Sequence, residues 1–545
     1  MTDTPATPGA ARFLRHQLPW LIVLLQLAWW SYAAWPIVPV EGDEQRVLLG
    51  VEGLLQHDAL LTHLRYSYSV QPGTYPLLAT LTLLTGWPAR TVFGLATMAG
   101  AAGFAVIGAR LLQLVIGWPL GWLLVVMLWC QEVTAAGCYM NTSALAGGPA
   151  ILAVLLSVRP GRLAWLWPGL LLAVAGWLRA DSVLIAPACL GLTYWQGRAW
   201  RPAIIRTSAI AWVTLVTMAL LFWLSGTSVG GGVSAFEQRG FFFTSLRALA
   251  ESPLQVFSPA LTLAGLAGLG LLLWQGRLAL GLLVLGGTLP TLLAHGPAFT
   301  TPKYVYYLVP FALIPALVAI GQAWQAASRV APRPVLLGGI GLVALADGLV
   351  GVRTLRPEQR LLVAEPTWCS FGHLPSPGKP FEFVLGPGEL LINVDAFRLR
   401  TGQLFAPWCW HREKVRMQEE LARIASWLRE KREVTIYWSD AMPHDVLLGQ
   451  LTALGYRPPA DSVLHAETAA REDWRRGGQV AHIEYLGYAD SPFQPSGPAP
   501  ASRTGPDTYF LGCWAHRTIT PLADTRTWQL ISPTPEGLLA VHQRR

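Results

Sequence analysis

The sequence predicts an α-helical polytopic membrane protein of about 11 transmembrane helices, followed by a small α/β domain. Three observations lead to this prediction. Of the 545 residues, 52% are hydrophobic and only 13% are charged, which is about half the charged fraction of an average soluble domain. Apolar runs long enough to cross a bilayer recur along residues 1–352, and the composition changes sharply from residue 353. This composition argues against a large soluble enzyme, a disordered chain and a disulfide-stapled small fold.

The first domain, residues 1–352, contains the predicted spans. A run must cover about 30 Å of hydrocarbon at about 1.5 Å per residue. The apolar runs that come within a few residues of this length are about 17–36, 90–113, 117–136, 141–157, 163–178, 181–197, 207–226, 253–275, 278–294, 303–321 and 334–352. Segment 74–86 is apolar but shorter, so we expect a helix lying at the outer surface.

The arginines predict the orientation of these spans. Most of them fall on alternate connections, which marks that side as cytoplasmic. An odd number of spans then places the N-terminus inside and the tail outside. The net charge of +8 comes mainly from the membrane half, residues 1–352, which contains 18 Lys and Arg and 11 Asp and Glu. Residues 353–545 contain 22 Lys and Arg and 21 Asp and Glu. We therefore interpret the excess as a topology signal and predict no nucleic-acid partner. The preference for Arg over Lys indicates a GC-rich bacterial genome and hence the inner membrane.

The second domain, residues 353–545, is predicted to be a small extracytoplasmic α/β domain. Arg412–Arg432 has apolar residues at helical spacing, and 446–454 is a second predicted helix. The runs 390–394, 434–438 and 480–485 have strand character. No motif in this domain assigns a function to it.

The first outer loop, residues 37–89, carries the densest cluster of acidic residues. Glu41, Asp43 and Glu44 lie within four residues at a membrane exit. Their mutual repulsion and desolvation would raise their proton affinity, which suits a general base. The alternative interpretation is a solvated helix N-terminus, which also favours negative charge.

Two further features place charge near the predicted outer face. Arg179 and Asp181 lie between two spans. An ionisable pair at membrane depth indicates a polar site. The alternative is an arginine that reaches the interface and pairs locally with Asp181. Lys303 is the only lysine in the first 352 residues and precedes Tyr304 and Tyr306. A cation with tyrosine hydroxyls suits a lipid-linked phosphate, whereas the alternative is an aromatic-belt anchor.

The order of these motifs resembles that of the GT-C superfamily of membrane glycosyltransferases, in particular protein O-mannosyltransferases and lipid A aminoarabinose transferases. The acidic motif of that family is matched by Glu41-Gly-Asp-Glu44, and its Gln-Pro-Pro-x-Tyr element by Gln71-Pro-Gly-Thr-Tyr75, with Gly73 replacing the second proline. Its third-span turn is matched by 139–141, where Asn141 stands in place of the usual acid. Its fifth-span turn is matched by Leu178-Arg-Ala-Asp181, and its Arg-Tyr pair by Lys303-Tyr304.

The resemblance implies an inverting transfer of a sugar from a polyprenyl-phosphate donor to a glycan, lipid or protein acceptor at the outer face. Asp43 would be the base, and Glu44 would assist it or hold a divalent cation. Lys303, with Tyr304 or Tyr306, would bind the donor phosphate, and Arg179 and Arg65 are secondary phosphate candidates. The remaining residues expected in the substrate cavity are Glu41, Gln71, Tyr75, Tyr139, Asn141 and Asp181.

Two other classes of protein remain open at this point. A transporter or lipid flippase would be expected to show repeat symmetry and ionisable groups near the bilayer midplane. The sequence shows no repeat, and the ionisable residues of the candidate site gather at one face. A non-catalytic membrane scaffold would leave the acidic loop unexplained.

Overall fold

The computed structural model describes residues 17–33, 42–56, 70–130, 142–227, 259–295 and 306–329, together with the β-strands between residues 352 and 544. The chain divides into two compact units. The helical unit comprises residues 1–35, 69–77 and 92–351, and the sheet unit comprises residues 36–68, 78–91 and 352–545.

Except for the helix over residues 42–56, which lies in the predicted first outer loop, the described helices follow the predicted apolar runs. They are α1 (Leu18–Ala33), α2 (Gly42–Gln56), α3 (Thr74–Thr85), α4 (Ala89–Ile116), α5 (Leu120–Trp129), α6 (Thr142–Leu156), α7 (Leu166–Leu178), α8 (Ala188–Gly197), α9 (Trp200–Leu224), α10 (Pro259–Trp274), α11 (Leu278–His295) and α12 (Val309–Ala327). Many leucines and tryptophans on these helices are exposed, among them Trp223 and Leu273. Helices that are apolar all round and keep such residues on their surface are typical of membrane proteins.

Among the described residues, three helical stretches are long and apolar enough to cross a membrane. They are Ala89–Ile116, Trp200–Leu224 and Tyr306–Ala327, and several further apolar helices are shorter. These helices and the membrane class agree with the sequence prediction. The predicted span 334–352 lies outside the described residues, and the total of about 11 spans stays a prediction.

The segment predicted as one span over 181–197 is not one regular helix. Residues Ala180–Ile185 form a 3-10 helix, and α8 begins only at Ala188, after Pro187. Proline has no backbone N–H to continue the ladder of helical hydrogen bonds, so the chain is interrupted there. A second 3-10 turn, Tyr306–Leu308, precedes α12. In addition, α9 begins at Trp200 and not at the predicted residue 207, so Arg201 and Arg206 lie in its first turns.

Close helix contacts in the helical unit depend on small residues. α8 packs against α11, and a Cβ atom added to Gly286 would lie 2.7 Å from the backbone carbonyl carbon of Pro187. A Cβ on Gly191 would collide with the backbone of Leu283. Backbones approach this closely in membrane helices where a side chain is missing. This contact fixes α8, and with it the preceding 3-10 helix, against α11.

The described residues of the sheet unit form twelve short strands. They are β1 (Val352–Thr354), β2 (Arg360–Val363), β3 (Trp368–Cys369), β4 (Gly372–His373), β5 (Phe381–Val384), β6 (Leu390–Ile392), β7 (Glu433–Trp438), β8 (Glu472–Arg476), β9 (Gln479–Tyr485), β10 (Thr508–Cys513), β11 (Trp528–Leu530) and β12 (Leu539–Arg544). Six of them form a mixed sheet in the order β11-β12-β10-β7-β9-β8, in which β7 pairs in parallel with both β9 and β10. The three predicted strands coincide with β6, β7 and β9. The predicted helices 412–432 and 446–454 lie outside the described residues, so the α/β character of this domain stays a prediction.

Candidate functional site: a buried polar cluster at the end of α7

The end of α7 carries a buried ion pair. Helix α7 stops at Leu178 because Arg179 takes an extended backbone conformation, with φ −159° and ψ 115°. The guanidinium Nε of Arg179 donates to both carboxylate oxygens of Asp181, at 3.0 and 3.2 Å. The side chain of Asp181 is 1% exposed and that of Arg179 is 13% exposed. The pair predicted from sequence therefore forms, and it lies in the interior of the helical unit.

Two other segments of the chain complete this cluster. The Nη1 atom of Arg179 donates to the hydroxyl of Thr142 at 2.6 Å, at the start of α6. The phenol of Tyr307 donates to Asp181 Oδ1 at 3.3 Å, from the 3-10 turn that precedes α12. Ser143, which is fully buried, interacts with Tyr307 from the side of α6. The cluster thus joins the start of α6, the end of α7 and the turn before α12.

The hydrogen bonds explain how two opposite charges tolerate this degree of burial. A buried ion pair is stable only when its desolvation is offset by good geometry and by hydrogen bonds to the remaining polar atoms. Here Asp181 receives bonds from Arg179 and Tyr307, and Arg179 is also bound to Thr142. Because the guanidinium is engaged in this way, the cluster is suited to holding the three helix ends in place.

The Gln71–Tyr75 segment docks on the same end of α7. The backbone N–H of Gly73 donates to the carbonyl oxygen of Trp177 at 2.8 Å. The hydroxyl of Thr74 donates to the carbonyl oxygen of Leu178 at 2.7 Å. A Cβ atom on Gly73 would collide with the indole ring of Trp177. The family pattern places a proline at this position. Proline has no N–H to donate to Trp177, and its side chain would collide with the indole ring. The glycine is therefore explained by the packing of Trp177.

Tyr306 lies in the same helical unit, with its ring packed between two elements. The ring is fully buried, its centroid is 4.1 Å from that of Phe104, and a Cβ added to Gly147 would lie 2.6 Å from it. Among the residues that the structure describes, its hydroxyl has no hydrogen-bond partner, and the same holds for Gln71 Oε1 and Ser182 Oγ. Buried polar atoms without a partner are uncommon in native proteins, so these three atoms mark places where a polar ligand or water would be stabilised.

The acidic motif of the first outer loop opens helix α2. Asp43 and Glu44 lie in the first turn of that helix, where a negative charge is favourable. Their side chains lie outside the described part of the structure, so the general-base hypothesis and the helix-terminus alternative both remain. Further along α2, burial raises the pKa of the Glu52 carboxyl above its ordinary value.

Other predicted site residues cannot be placed. Outside the described residues lie Glu41, Arg65, Tyr139, Asn141, Lys303 and Tyr304. The prediction that Asp43 and Lys303 share one pocket is therefore untested. Among the described residues no three side chains of the metal-binding types come together, and a divalent-cation site at Asp43 and Glu44 stays a prediction.

Sequence reasoning missed residues of the cluster and of the Gly73 contact beside it. Thr142 follows Asn141, Tyr307 follows Tyr306, and Trp177 lies two residues before Arg179. Asn141, Tyr306 and Arg179 had been predicted as site residues. The available signal was their position beside these motifs. Their hydroxyl and indole groups give no pattern of their own, since Thr, Tyr and Trp are also common at membrane interfaces.

Comparison with known proteins identifies the fold. No protein-family profile and no curated protein matches the sequence. The chain is similar to the crystal structure of ArnT from Cupriavidus metallidurans bound to undecaprenyl phosphate, with a TM-score of 0.52, 14% sequence identity and coverage of 99% of this chain and 98% of that one. It is also similar to the apo state of the same protein, with a TM-score of 0.53, 14% identity and 98% coverage of each chain. The helical membrane fold predicted from the sequence is thereby confirmed as an ArnT-like fold.

Proposed function

We propose that this chain is an integral-membrane glycosyltransferase that uses a polyprenyl-phosphate-linked sugar donor. The observation that carries the proposal is the similarity of fold over nearly the whole chain to ArnT, whose crystal structure contains undecaprenyl phosphate. Because the match spans both chains almost completely, it includes the membrane helices and the C-terminal strands together. The acceptor would be a glycan, lipid or protein at the extracytoplasmic face of a bacterial inner membrane.

The chemistry of such a transfer assigns separate tasks to anions and cations. Asp43 would remove the proton from the acceptor hydroxyl, whose oxygen attacks the anomeric carbon of the donor sugar from the face opposite the phosphate. The bond from the anomeric carbon to the phosphate oxygen breaks, and the configuration inverts. The polyprenyl phosphate leaves with the negative charge, which Lys303 with Tyr304 or Tyr306 would stabilise. Glu44 would assist the base.

The buried cluster fits this scheme as a support for the donor site. Tyr307 is held by Asp181 and adjoins Tyr306 in the same 3-10 turn. The turn therefore has a fixed position relative to α6 and α7, and the hydroxyl of Tyr306 has no partner among the described residues. Residues whose own conformations are locked by packing and hydrogen bonds are the ones that can present a site accurately. We assign Asp181 and Arg179 to positioning and Tyr306 to the donor.

Binding of undecaprenyl phosphate by the purified protein tests the proposal. Its thermal unfolding midpoint should rise with added undecaprenyl phosphate and not with undecaprenol, which has the same chain without the phosphate. Lys303→Ala should reduce this shift, whereas Asp43→Asn should keep it and abolish transfer from a lipid-linked sugar. Equal shifts from the alcohol and the phosphate would refute a phosphate site, and wild-type transfer by Asp43→Asn would refute the assignment of the base.

A further inference from the structure

The helical unit has a second charged end, opposite the buried cluster. Helices α6 and α7 pack side by side, and Arg179 and Thr142 join them at one end. At the other end, Arg206 of α9 donates to the backbone carbonyls of Arg159 and Ala164 in the α6–α7 connection. Since α6 has 15 residues, the two ends are about 20 Å apart along the helix axis.

Within residues 157–206, arginine is the only charged residue type at this second end. Residues 157–206 contain six arginines and one acid, and that acid is Asp181 at the opposite end. The remaining five define what we call the arginine end: Arg159, Arg162, Arg198, Arg201 and Arg206. The first four are exposed, and none of the ion pairs within the described residues involves them. The side chain of Arg206 is only partly buried and holds the α6–α7 connection in place.

Exposed apolar and aromatic side chains lie between these arginines. Trp167 is 65% exposed, Leu163 is 61% exposed and Trp200 is 41% exposed. The ring of Trp200 stacks on Tyr194 with centroids 3.9 Å apart, which fixes its orientation. Indole rings beside guanidinium groups are typical of the level at which lipid headgroups meet the acyl chains.

We propose that the arginine end is a binding site for the headgroup of an anionic diacyl phospholipid. A phosphodiester accepts paired hydrogen bonds from the planar guanidinium group, and the exposed Trp167 and Leu163 would contact the first carbons of the acyl chains. The charge complementarity is strong because no acid of this segment competes for the arginines. The site is separate from the buried cluster and does not depend on the proposed transferase activity.

Binding of short-chain lipids to the full-length protein in neutral detergent tests this site. Dioctanoyl phosphatidylglycerol should bind, as counted by native mass spectrometry, and dioctanoyl phosphatidylcholine should bind much more weakly. Arg159→Gln together with Arg162→Gln should weaken binding of the anionic lipid about 10- to 30-fold, since each arginine near an anionic headgroup contributes roughly 5-fold. Arg277→Gln, which removes an exposed arginine from the α10–α11 turn, is the matched control and should leave binding unchanged.

A second double variant shows whether a loss of binding in the first one is caused by misfolding. Arg198→Gln together with Arg201→Gln should reduce binding to a similar extent while the unfolding midpoint without lipid stays at the wild-type value. Equal binding of the two lipids, full retention of binding in both double variants, or an equal loss in Arg277→Gln would each overturn the proposal. Full retention of binding in both double variants would mean that these arginines act only on topology. An equal loss in Arg277→Gln would mean that exposed arginines attract the lipid without a defined site.

Discussion

The two ends of the α6–α7 pair use the same residue type in opposite ways. At one end, Arg179 is buried and bound to Asp181 and Thr142. At the other, Arg159 and Arg162 are exposed in a segment with no acid nearby in sequence. A guanidinium removed from water needs a local anion, whereas one in contact with water or headgroups does not. The difference shows that burial, and not the presence of charge, decides whether an arginine in this chain holds the fold together or is available to another molecule.

The largest expected effect comes from breaking the buried pair. Asp181→Asn leaves the Arg179 cation without its counter-charge in the interior, which should lower the free energy of unfolding by about 3–5 kcal/mol. Arg159→Gln at the arginine end should change it by less than about 0.5 kcal/mol. Thermal unfolding in detergent measures both variants.

A double variant separates loss of the charge from loss of the side chain. Arg179→Gln combined with Asp181→Asn removes both charges and should be clearly more stable than Asp181→Asn alone, because no uncompensated ion remains. Additive destabilisation by the two substitutions would contradict the view that charge compensation is what the pair provides.

The next effect tests how tightly the cluster end is packed. Gly73→Ala places a methyl group against the indole of Trp177 and should cost about 1–3 kcal/mol of stability. Gly197→Ala, at the arginine end, has no atom within 4 Å of the added Cβ and should change stability by less than about 1 kcal/mol. Comparable destabilisation of the two variants would indicate that the indole of Trp177 moves aside and that the space at Gly73 is not limiting.

Two neighbouring tyrosines provide a smaller and more specific test. Tyr307→Phe removes the hydroxyl that donates to Asp181 and should lower stability by about 0.5–1.5 kcal/mol. Tyr306→Phe removes a hydroxyl that has no partner among the described residues, so stability should be unchanged or higher. If Tyr306 contacts the donor phosphate, the Tyr306→Phe variant should nevertheless bind undecaprenyl phosphate more weakly, which a titration would detect.

The smallest expected effect concerns the carboxyl of Glu52, whose pKa is shifted by burial alone. Burial raises the pKa of Glu52 above its ordinary value of about 4.5. The folded state therefore binds the proton more tightly than the unfolded state, and stability falls as pH rises above that ordinary value. Glu52→Gln should raise the unfolding midpoint slightly at pH 8 and leave it unchanged near pH 4. A midpoint lowered at pH 8 would show that the carboxylate is stabilised by a partner.

The sequence predicted the helices well because their signal is simple. An apolar run of sufficient length has few alternatives to a membrane helix, and nearly every described helix of the helical unit falls on such a run. The strands β6, β7 and β9 also followed from β-branched and aromatic runs. The division of 181–197 into a 3-10 helix and α8 was missed because hydropathy does not distinguish helix types.

The candidate site was only partly predictable. Arg179 and Asp181 were found because charges within apolar segments are costly and hence conspicuous. Thr142 and Tyr307 were not, since their part in the cluster arises from contacts over 37 and 126 residues of sequence. Pairings of this kind depend on how helices pack against one another, which the spacing of residues within one helix does not reveal.

The last carbonyls of α7 are capped by residues 73 and 74, about 100 positions earlier in the chain. The end of that helix is therefore not specified by its own neighbourhood, and an isolated fragment containing it would fray. In evolution, residues of the two segments should therefore change together. Among distant relatives we expect a bulkier residue at position 73 to occur with a smaller one at position 177, and an alignment of such relatives would reveal this covariation.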